Sequence, residues 1–174
     1  GLSGDYFYRP MEKIGELLEY QGSVMSIDPS GRGQDETAYS CAKFLNGQIF
    51  ITAAGGFRGG YNEVVLAKLA KIAKEQNVNL IQVEENFGSG MMIELLKPYI
   101  QKEHPCRIEG VRHTIQKEKR ICDVLEPIMN QHRLIVSDKV IQDDYTSTQI
   151  HAPEKALRYQ LMYQMSRITR DKGS

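Results

Sequence analysis

The sequence lacks several features that would restrict where and how the protein works. No apolar run approaches the roughly 18 residues of a membrane span, and no signal peptide is visible, so we expect no membrane association. Three cysteines are an odd number without metal-ligand spacing, which is typical of reduced thiols rather than of a disulfide framework. The formal net charge is zero, so any contact with nucleic acid must depend on local basic patches. The motif GxxxxGK[ST] is absent, and the chain is therefore not expected to hydrolyse ATP.

The residues that are present fit one folded domain. The 174 residues are 41% hydrophobic and 25% charged, proportions that are ordinary for a globular domain with an adequate core. We interpret residues 1–20 as a linker with a short helix over 11–19, and residues 21–174 as the domain itself.

The most informative segment is SVMSIDPSGRG at residues 23–33. Its apolar run predicts a buried strand that ends at Asp28, because the proline that follows cannot donate to a sheet ladder. Residues 78–83 form a second, mostly apolar run, which is followed by Glu84 and Glu85. If the two strands are parallel neighbours, Asp28 and Glu84 meet at the carboxyl edge of the sheet, where open α/β sheets keep their sites.

Two carboxylates that converge in this way suit a divalent cation. Mg²⁺ and Mn²⁺ are hard ions that take carboxylate and water oxygens as ligands. Side chains alternate along a strand, so only one of Glu84 and Glu85 faces the site. We favour Glu84 and expect Glu85 to be solvated or bound to a backbone amide. A simpler interpretation of Asp28 is a loop cap, which is the usual role of a single aspartate at a strand end.

The order of the remaining elements is also informative. Residues 37–45 and 48–54 are two β-rich runs joined by Asn46-Gly47, a dipeptide typical of a type I′ hairpin. The hydrophobic period then changes to that of a helix, and helices and strands alternate along the rest of the chain. The predicted elements are a helix over 61–76, a strand over 78–84, a helix over 89–97 ended or kinked by Pro98, a strand over 107–111, a helix from Lys117, a strand over 133–137 and a helix over 154–169.

Three antiparallel strands followed by alternating helices and strands form the plan of the ribonuclease H-like fold. We therefore predict an α/β fold with a mixed sheet, in which three antiparallel strands precede parallel strands and helices cover both faces. The first strand is central and the fourth lies beside it, as the two acids require. This fold supports two-metal phosphodiester chemistry, with the ions about 3.5–4 Å apart on either side of the scissile phosphate.

Five longer runs resemble a known family: IDPSGRGQDET, AAGGFRGGYNE, EENFGSGM, KEKRICDVLEP and YQMSRITRDKGS. From about residue 20 onwards, the chain is similar to the nuclease domain of the terminase large subunit of short-tailed, podovirus-type phages. The resemblance implies an endonuclease that uses two Mg²⁺ or Mn²⁺ ions to cut concatemeric double-stranded DNA during genome packaging in the host cell cytoplasm. It also implies partners other than DNA, namely the portal of the procapsid, the small terminase subunit and an ATPase motor domain of the same polypeptide.

The resemblance assigns roles to individual residues. Asp28 matches the first catalytic acid, Glu84 the second, and Asp35 an auxiliary acid that approaches the metal, although a loop cap explains Asp35 equally well. The family's third acid follows a stretch similar to RDKG at residues 170–173, and the sequence stops before it. We therefore expect a nuclease domain that is truncated before its last helix and cuts DNA weakly. If cleavage is strong, Asp35 or Asp144 is the first candidate for the third ligand.

Basic residues near these acids are candidates for contacts with DNA phosphates. Arg32 lies between two glycines that let a backbone approach closely, and Arg58 lies in a glycine-rich loop. Lys117, Lys119 and Arg120 crowd the start of a predicted helix, where cations oppose the macrodipole and so suggest a functional use. For each of these three residues, a solvated helix face is at least as good an explanation.

Two alternative functions share these features. Another ribonuclease H-like nuclease, such as a junction resolvase or a transposase core, would carry the same acids. Cleavage of branched rather than linear duplex DNA would distinguish it. A non-catalytic module that docks on the portal would fit a site without a third acid, although the pair Asp28 and Glu84 argues against this function.

Overall fold

The computed structural model describes residues 17–29, 36–85 and 89–169. The strands in these ranges are β1 (Gly22–Asp28), β2 (Thr37–Leu45), β3 (Gln48–Phe57), β4 (Leu80–Glu84), β5 (Arg107–Val111) and β6 (Leu134–Val136). The helices are α1 (Glu63–Glu75), α2 (Ser89–Glu103), α3 (Lys117–Asn130), α4 (Asp138–Ser147), α5 (Pro153–Ala156) and α6 (Leu161–Arg167). None of the described helices is long and apolar enough to span a membrane.

The strands form one mixed sheet with the order β5-β4-β1-β2-β3-β6. β2 pairs antiparallel with β1 on one side and with β3 on the other. β4 runs parallel to β1, β5 parallel to β4 and β6 parallel to β3. The predicted α/β plan, with β1 central and β4 beside it, is confirmed. The division into a linker over 1–20 and a domain over 21–174 stays a prediction, although β1 begins at Gly22.

The turn between β2 and β3 follows the predicted chemistry. Asn46 has a φ of 48° and Gly47 a φ of 78°, so both central residues lie in the left-handed region. A type I′ turn requires this conformation, and its twist matches that of the two strands it joins. The turn therefore sets the register of the β2–β3 hairpin.

One face of the sheet packs against α1 and α2 and forms the main core. Met25 and Ile27 of β1 and Ile81 and Val83 of β4 are at most 2% exposed. Burying each such side chain contributes about 1.5–3 kcal/mol. A shift of one residue in strand register would expose these side chains, so the native register is strongly favoured. The helices contribute Val65, Leu66, Leu69, Ala70 and Ala73 from α1 and Met92, Leu96 and Ile100 from α2.

The opposite face is covered by a second helical layer, which is less complete. α4 packs against β3 with Val140 buried. α3 contributes no buried residue, although its sequence is strongly amphipathic. Helices thus lie on both faces, as predicted, and the incomplete layer leaves part of the sheet open.

Several boundaries differ from the prediction. The helix expected to end near residue 97 continues through Pro98 to Glu103, because Ile100 beyond the proline is buried in the core. α4 was not predicted at all. The helix expected over 154–169 is divided into α5, a 3₁₀ turn and α6, since the backbone at Gln160 is extended. The short helix expected over 11–19 lies outside the described residues except for 17–19, which are not helical.

Gly110 in β5 lies against the side chain of Glu85. A Cβ at this position would lie 2.0 Å from Glu85 Oε1 and 2.6 Å from its Cδ. The carboxylate is also fixed by an ion pair with Arg112. Glu85 therefore pairs with the Arg112 side chain, a partner that the prediction of a solvated or amide-bound carboxylate did not include.

We predict that Gly110→Ala lowers the free energy of unfolding by about 1–3 kcal/mol, because the added methyl group collides with Glu85. In a Glu85→Ala background the same change should be neutral or stabilise by up to about 1 kcal/mol, since alanine restricts the unfolded chain. Gly22→Ala is the matched control, because its Cβ would meet nothing closer than 3.8 Å. Urea unfolding measures all three, and equal costs in both backgrounds would contradict the assignment.

Candidate active site

Asp28 and Glu84 lie side by side at the carboxyl edge of the sheet. The parallel register aligns Ile27 with Val83, so the next residue of each strand is a neighbour of the other. Ile27 and Val83 are buried on the side of α1 and α2. Alternation along each strand therefore turns Asp28 and Glu84 towards the opposite, open face. The fold brings together the two acids that the sequence singled out.

The acids lie in a cleft of about 850 Å³ on this open face. One wall is the start of α3, with Lys117, Arg120 and Ile121, and the other is formed by α4 and the segment that follows it. The floor is made of short or polar side chains, which leave room above the sheet: Ser26, Ala38, Ser40, Ala54 and Gln82.

Two cations from α3 neutralise the acids. Lys117 Nζ lies 2.8 Å from Asp28 Oδ2, and Arg120 Nη2 lies 3.5 Å from Glu84 Oε1. The hydrogen bond to Asp28 is the largest cause that raises the pKa of Lys117, and the charges of both acids add to it. A raised lysine pKa keeps Lys117 charged at neutral pH, and this charge is lost as the pH rises through that pKa.

The donors present fit a divalent cation in chemistry and in charge. Two carboxylates at neighbouring strand ends offer hard oxygen ligands, and the paired Lys117 and Arg120 show that the acids attract positive charge. Among the described residues, no group of three or more His, Cys, Asp or Glu side chains is arranged to hold a metal ion. The described part of the chain therefore offers two candidate ligands and no third.

The other predicted residues are distributed unevenly. Arg58 is mostly exposed and pairs with Glu36 through Nε at 3.3 Å. Lys119 is exposed on the same turn of α3 as the paired cations. Arg32 and Asp35 lie outside the described residues.

Asp144 lines the cleft but has a structural task. Its Oδ1 accepts a hydrogen bond from the Leu161 amide at 2.7 Å, and its Oδ2 accepts one from the Met162 amide at 3.1 Å. These are amides at the start of α6, which lack partners within the helix. Asp144 therefore caps α6 and joins it to α4, which makes it a poor substitute for a third metal ligand.

Sequence reasoning missed several residues of the cleft. Glu36 lines it immediately before β2, next to the backbone of Gly56. His151 and Tyr159 stack on each other with ring centroids 4.0 Å apart on the wall beyond α4. Glu36 belongs to the run IDPSGRGQDET, which the sequence analysis singled out. The contact between His151 and Tyr159 has no sequence signature, because the turns around α5 bring the two rings together.

The sequence model of a protein family, described as the ribonuclease H-like domain of the bacteriophage T7 terminase, matches residues 27–134, more than half of the chain. The chain belongs to this terminase family. It is also 41% identical, over all 174 residues, to the large terminase subunit of Enterobacteria phage T3. It spans only 30% of the length of that relative.

Solved structures support the same fold for this terminase-family chain. The human cytomegalovirus terminase nuclease domain, soaked with Mn and bound to an inhibitor, superposes with a TM-score of 0.58 at 13% identity, over 87% of this chain and 75% of that one. The large terminase of a thermophilic bacteriophage gives a TM-score of 0.51 at 14% identity, over 71% of this chain and 30% of that one. The resemblance found in the sequence and the ribonuclease H-like fold are confirmed.

We predict that Asp144→Ala lowers the free energy of unfolding by about 0.5–2 kcal/mol, the range for loss of a helix cap, and leaves divalent-ion affinity unchanged. Thermal unfolding measures the first effect and calorimetric titration with Mn²⁺ the second. A large drop in ion affinity with little loss of stability would instead make Asp144 a metal ligand. Asp143→Ala is the control, because that neighbouring residue pairs with Lys139 on the surface of α4.

Proposed function

We propose that this chain is the metal-dependent endonuclease domain of a viral DNA-packaging terminase, and that it cuts concatemeric double-stranded DNA. The observation that carries the proposal is the pair Asp28 and Glu84 at adjacent ends of parallel strands, within a cleft that also contains two cations. Membership of the terminase family supports the reaction class. The Mn soaks of the human cytomegalovirus nuclease domain support a divalent ion as cofactor.

The acidic residues of the cleft are proposed to bind the metal ions, and the basic residues to bind the phosphate. Asp28 and Glu84 would hold Mg²⁺ or Mn²⁺ through carboxylate oxygens. When bound, a pair of such ions activates the attacking water and stabilises the leaving 3′ oxygen. Lys117 and Arg120, which lie beside the two acids, would orient the scissile phosphate and neutralise its charge. Lys119, Arg58 and Arg32 are proposed to contact the DNA backbone further from the reacting atoms.

Two carboxylates provide few ligands for two ions. Glu36 pairs with Arg58, and Asp144 caps α6, so neither is suited to the task. We propose Asp35 as the auxiliary ligand and expect weak DNA cleavage, because a small number of carboxylates mainly weakens the binding of the second ion.

The partners belong to the whole protein. Because the T3 relative is a large terminase subunit, we propose an ATPase motor domain in the same polypeptide, with the procapsid portal and the small terminase subunit as further partners. The host cell cytoplasm is the proposed location. The family match favours this function over a junction resolvase, a transposase core or a docking module without catalysis, and cleavage of linear rather than branched duplexes is the corresponding test.

We predict that Asp28→Asn and Glu84→Gln each lower the rate of plasmid nicking by more than about 100-fold. Mutation of residues that only hydrogen-bond to metal ligands already lowers activity by up to about 100-fold, and loss of a ligand itself should cost more. The full-length protein should keep its ATP hydrolysis. Glu94→Gln is the control, because Glu94 pairs with Lys97 on α2, on the other side of the sheet. Normal nicking by Asp28→Asn at matched metal and salt would remove Asp28 from the mechanism.

The same Asp28→Asn variant should remain folded. Its lost ion pair with Lys117 is partly exposed, with 38% of the Asp28 side chain and 56% of the Lys117 side chain accessible. Such pairs contribute at most about 1 kcal/mol, and relief of repulsion from Glu84 offsets part of that. A loss of several kcal/mol in urea unfolding would show that the inactivity reflects misfolding.

A further inference from the structure

Two basic side chains at the start of α3 each pair with one acid of the candidate site. Lys117 Nζ is 2.8 Å from Asp28 Oδ2, and Arg120 Nη2 is 3.5 Å from Glu84 Oε1. The two cations are three residues apart and so lie on the same side of the helix. The first turn of α3 therefore lies over the acids and supplies each carboxylate with a counter-ion.

The ion pairs are direct contacts between the first turn of α3 and the acids of the cleft. No residue of α3 is buried, and its N-cap residue Gln116 makes no side-chain capping hydrogen bond. Cations in the first turn also oppose the helix macrodipole. The ion pairs of Lys117 and Arg120 with the acids therefore add to the partial burial of Ile121, Leu125 and Ile128 in holding this turn at the cleft.

Arg120 has an unused donor inside the cleft. Nη1 of its guanidinium is buried and has no hydrogen-bond partner in the described part of the chain. A buried charged donor without a partner is costly. The planar guanidinium matches the geometry of phosphate oxygens and binds them through two donors. Arg120 is therefore suited to an anionic oxygen in addition to that of Glu84.

A divalent ion on the same carboxylates would compete with these cations. Mg²⁺ binds carboxylate oxygens at about 2.0–2.1 Å, closer than the 2.8 Å between Lys117 Nζ and Asp28 Oδ2. Like charges repel at this range, so an ion that takes the acids weakens their hold on Lys117 and Arg120. A DNA phosphate then offers both side chains a new partner of the right charge.

We propose that Lys117 and Arg120 exchange partners, pairing with Asp28 and Glu84 until a divalent ion binds the acids and then passing to a DNA phosphate. This inference deepens the proposed nuclease function and rests on it. Because the exchange links the two ligands, the ion strengthens DNA binding and DNA strengthens ion binding by the same factor. DNA is therefore bound most tightly when the divalent ion occupies the site.

The linkage is tested with Ca²⁺, which also prefers oxygen ligands, and a short fluorescein-labelled linear duplex. We expect Ca²⁺ to tighten duplex binding by about tenfold in the wild-type chain, within the usual range for coupled sites. In the Lys117→Met/Arg120→Met variant, the gain should fall below about twofold, because the two side chains that link ion binding to DNA binding are absent. Fluorescence anisotropy is recorded at constant ionic strength, because salt alone weakens phosphate contacts.

Lys119→Met is the matched control. It removes one positive charge from the same turn, but its side chain is exposed and is not paired with either acid. It should lower duplex affinity by the same factor with and without Ca²⁺ and leave the Ca²⁺-dependent gain intact. Loss of the gain in Lys119→Met would mean that overall charge links ion and DNA, and the exchange would be refuted.

Calorimetric titration with Ca²⁺ in the absence of DNA separates this inference from the nuclease proposal. Lys117→Met should bind the ion several-fold more tightly than the wild type, because a competing cation is gone, and Asp28→Asn should bind it much more weakly. Unchanged Ca²⁺ binding in Asp28→Asn would overturn the candidate metal site itself. Weak binding in Asp28→Asn, together with a full Ca²⁺-dependent gain in the Lys117→Met/Arg120→Met variant, would overturn only the exchange.

The Lys117→Met variant guards against a folding artefact. Arg120 is only 22% exposed, so its replacement could disturb α3, whereas the Lys117 side chain is 56% exposed. Lys117→Met should remain folded by circular dichroism and still lose most of the Ca²⁺-dependent gain. A folded Lys117→Met variant with the full gain would contradict the proposal.

Discussion

The parallel pairing of β1 with β4 is the constraint on which the rest of the site depends. Ile27 lies opposite Val83, and both side chains are buried against α1 and α2. A slip of one residue would turn these side chains to the open face, at a cost of several kcal/mol in lost apolar burial. The core thus fixes the register, and the register brings Asp28 and Glu84 together. The hydrophobic pattern of two strands determines the geometry of a charged site.

A charged pair at a sheet edge also shapes what surrounds it. The acids pair with Lys117 and Arg120 at the start of the amphipathic helix α3, which forms one wall of the cleft. On the other wall, Asp144 accepts hydrogen bonds from the first amides of α6. These bonds join α6 to α4. Carboxylates therefore contact both walls of the cleft: Asp28 and Glu84 pair with cations of α3, and Asp144 accepts hydrogen bonds from the backbone of α6.

The parts of the fold that local patterns govern were predictable. Apolar runs that end on an acid identified β1 and β4, Asn46-Gly47 identified the hairpin, and helical periodicity identified α1. The parts that depend on distant contacts were not predictable. The last helix breaks because Asp144 caps a new start 17 residues away, and Lys117 meets Asp28 across 89 residues of sequence. No local propensity records either contact, so the sequence could nominate these residues but could not assign their partners.

The central claim is that Asp28 and Glu84 bind a divalent ion on the open face of the sheet. Anomalous diffraction from crystals soaked in Mn²⁺ tests it most directly. The account predicts a peak within about 2.0–2.4 Å of a carboxylate oxygen of both residues, the range for hard cations with oxygen ligands. Lys117 Nζ should have moved away from Asp28. Absence of a peak at saturating Mn²⁺ in this cleft, or a peak bound only by other residues, would contradict the account.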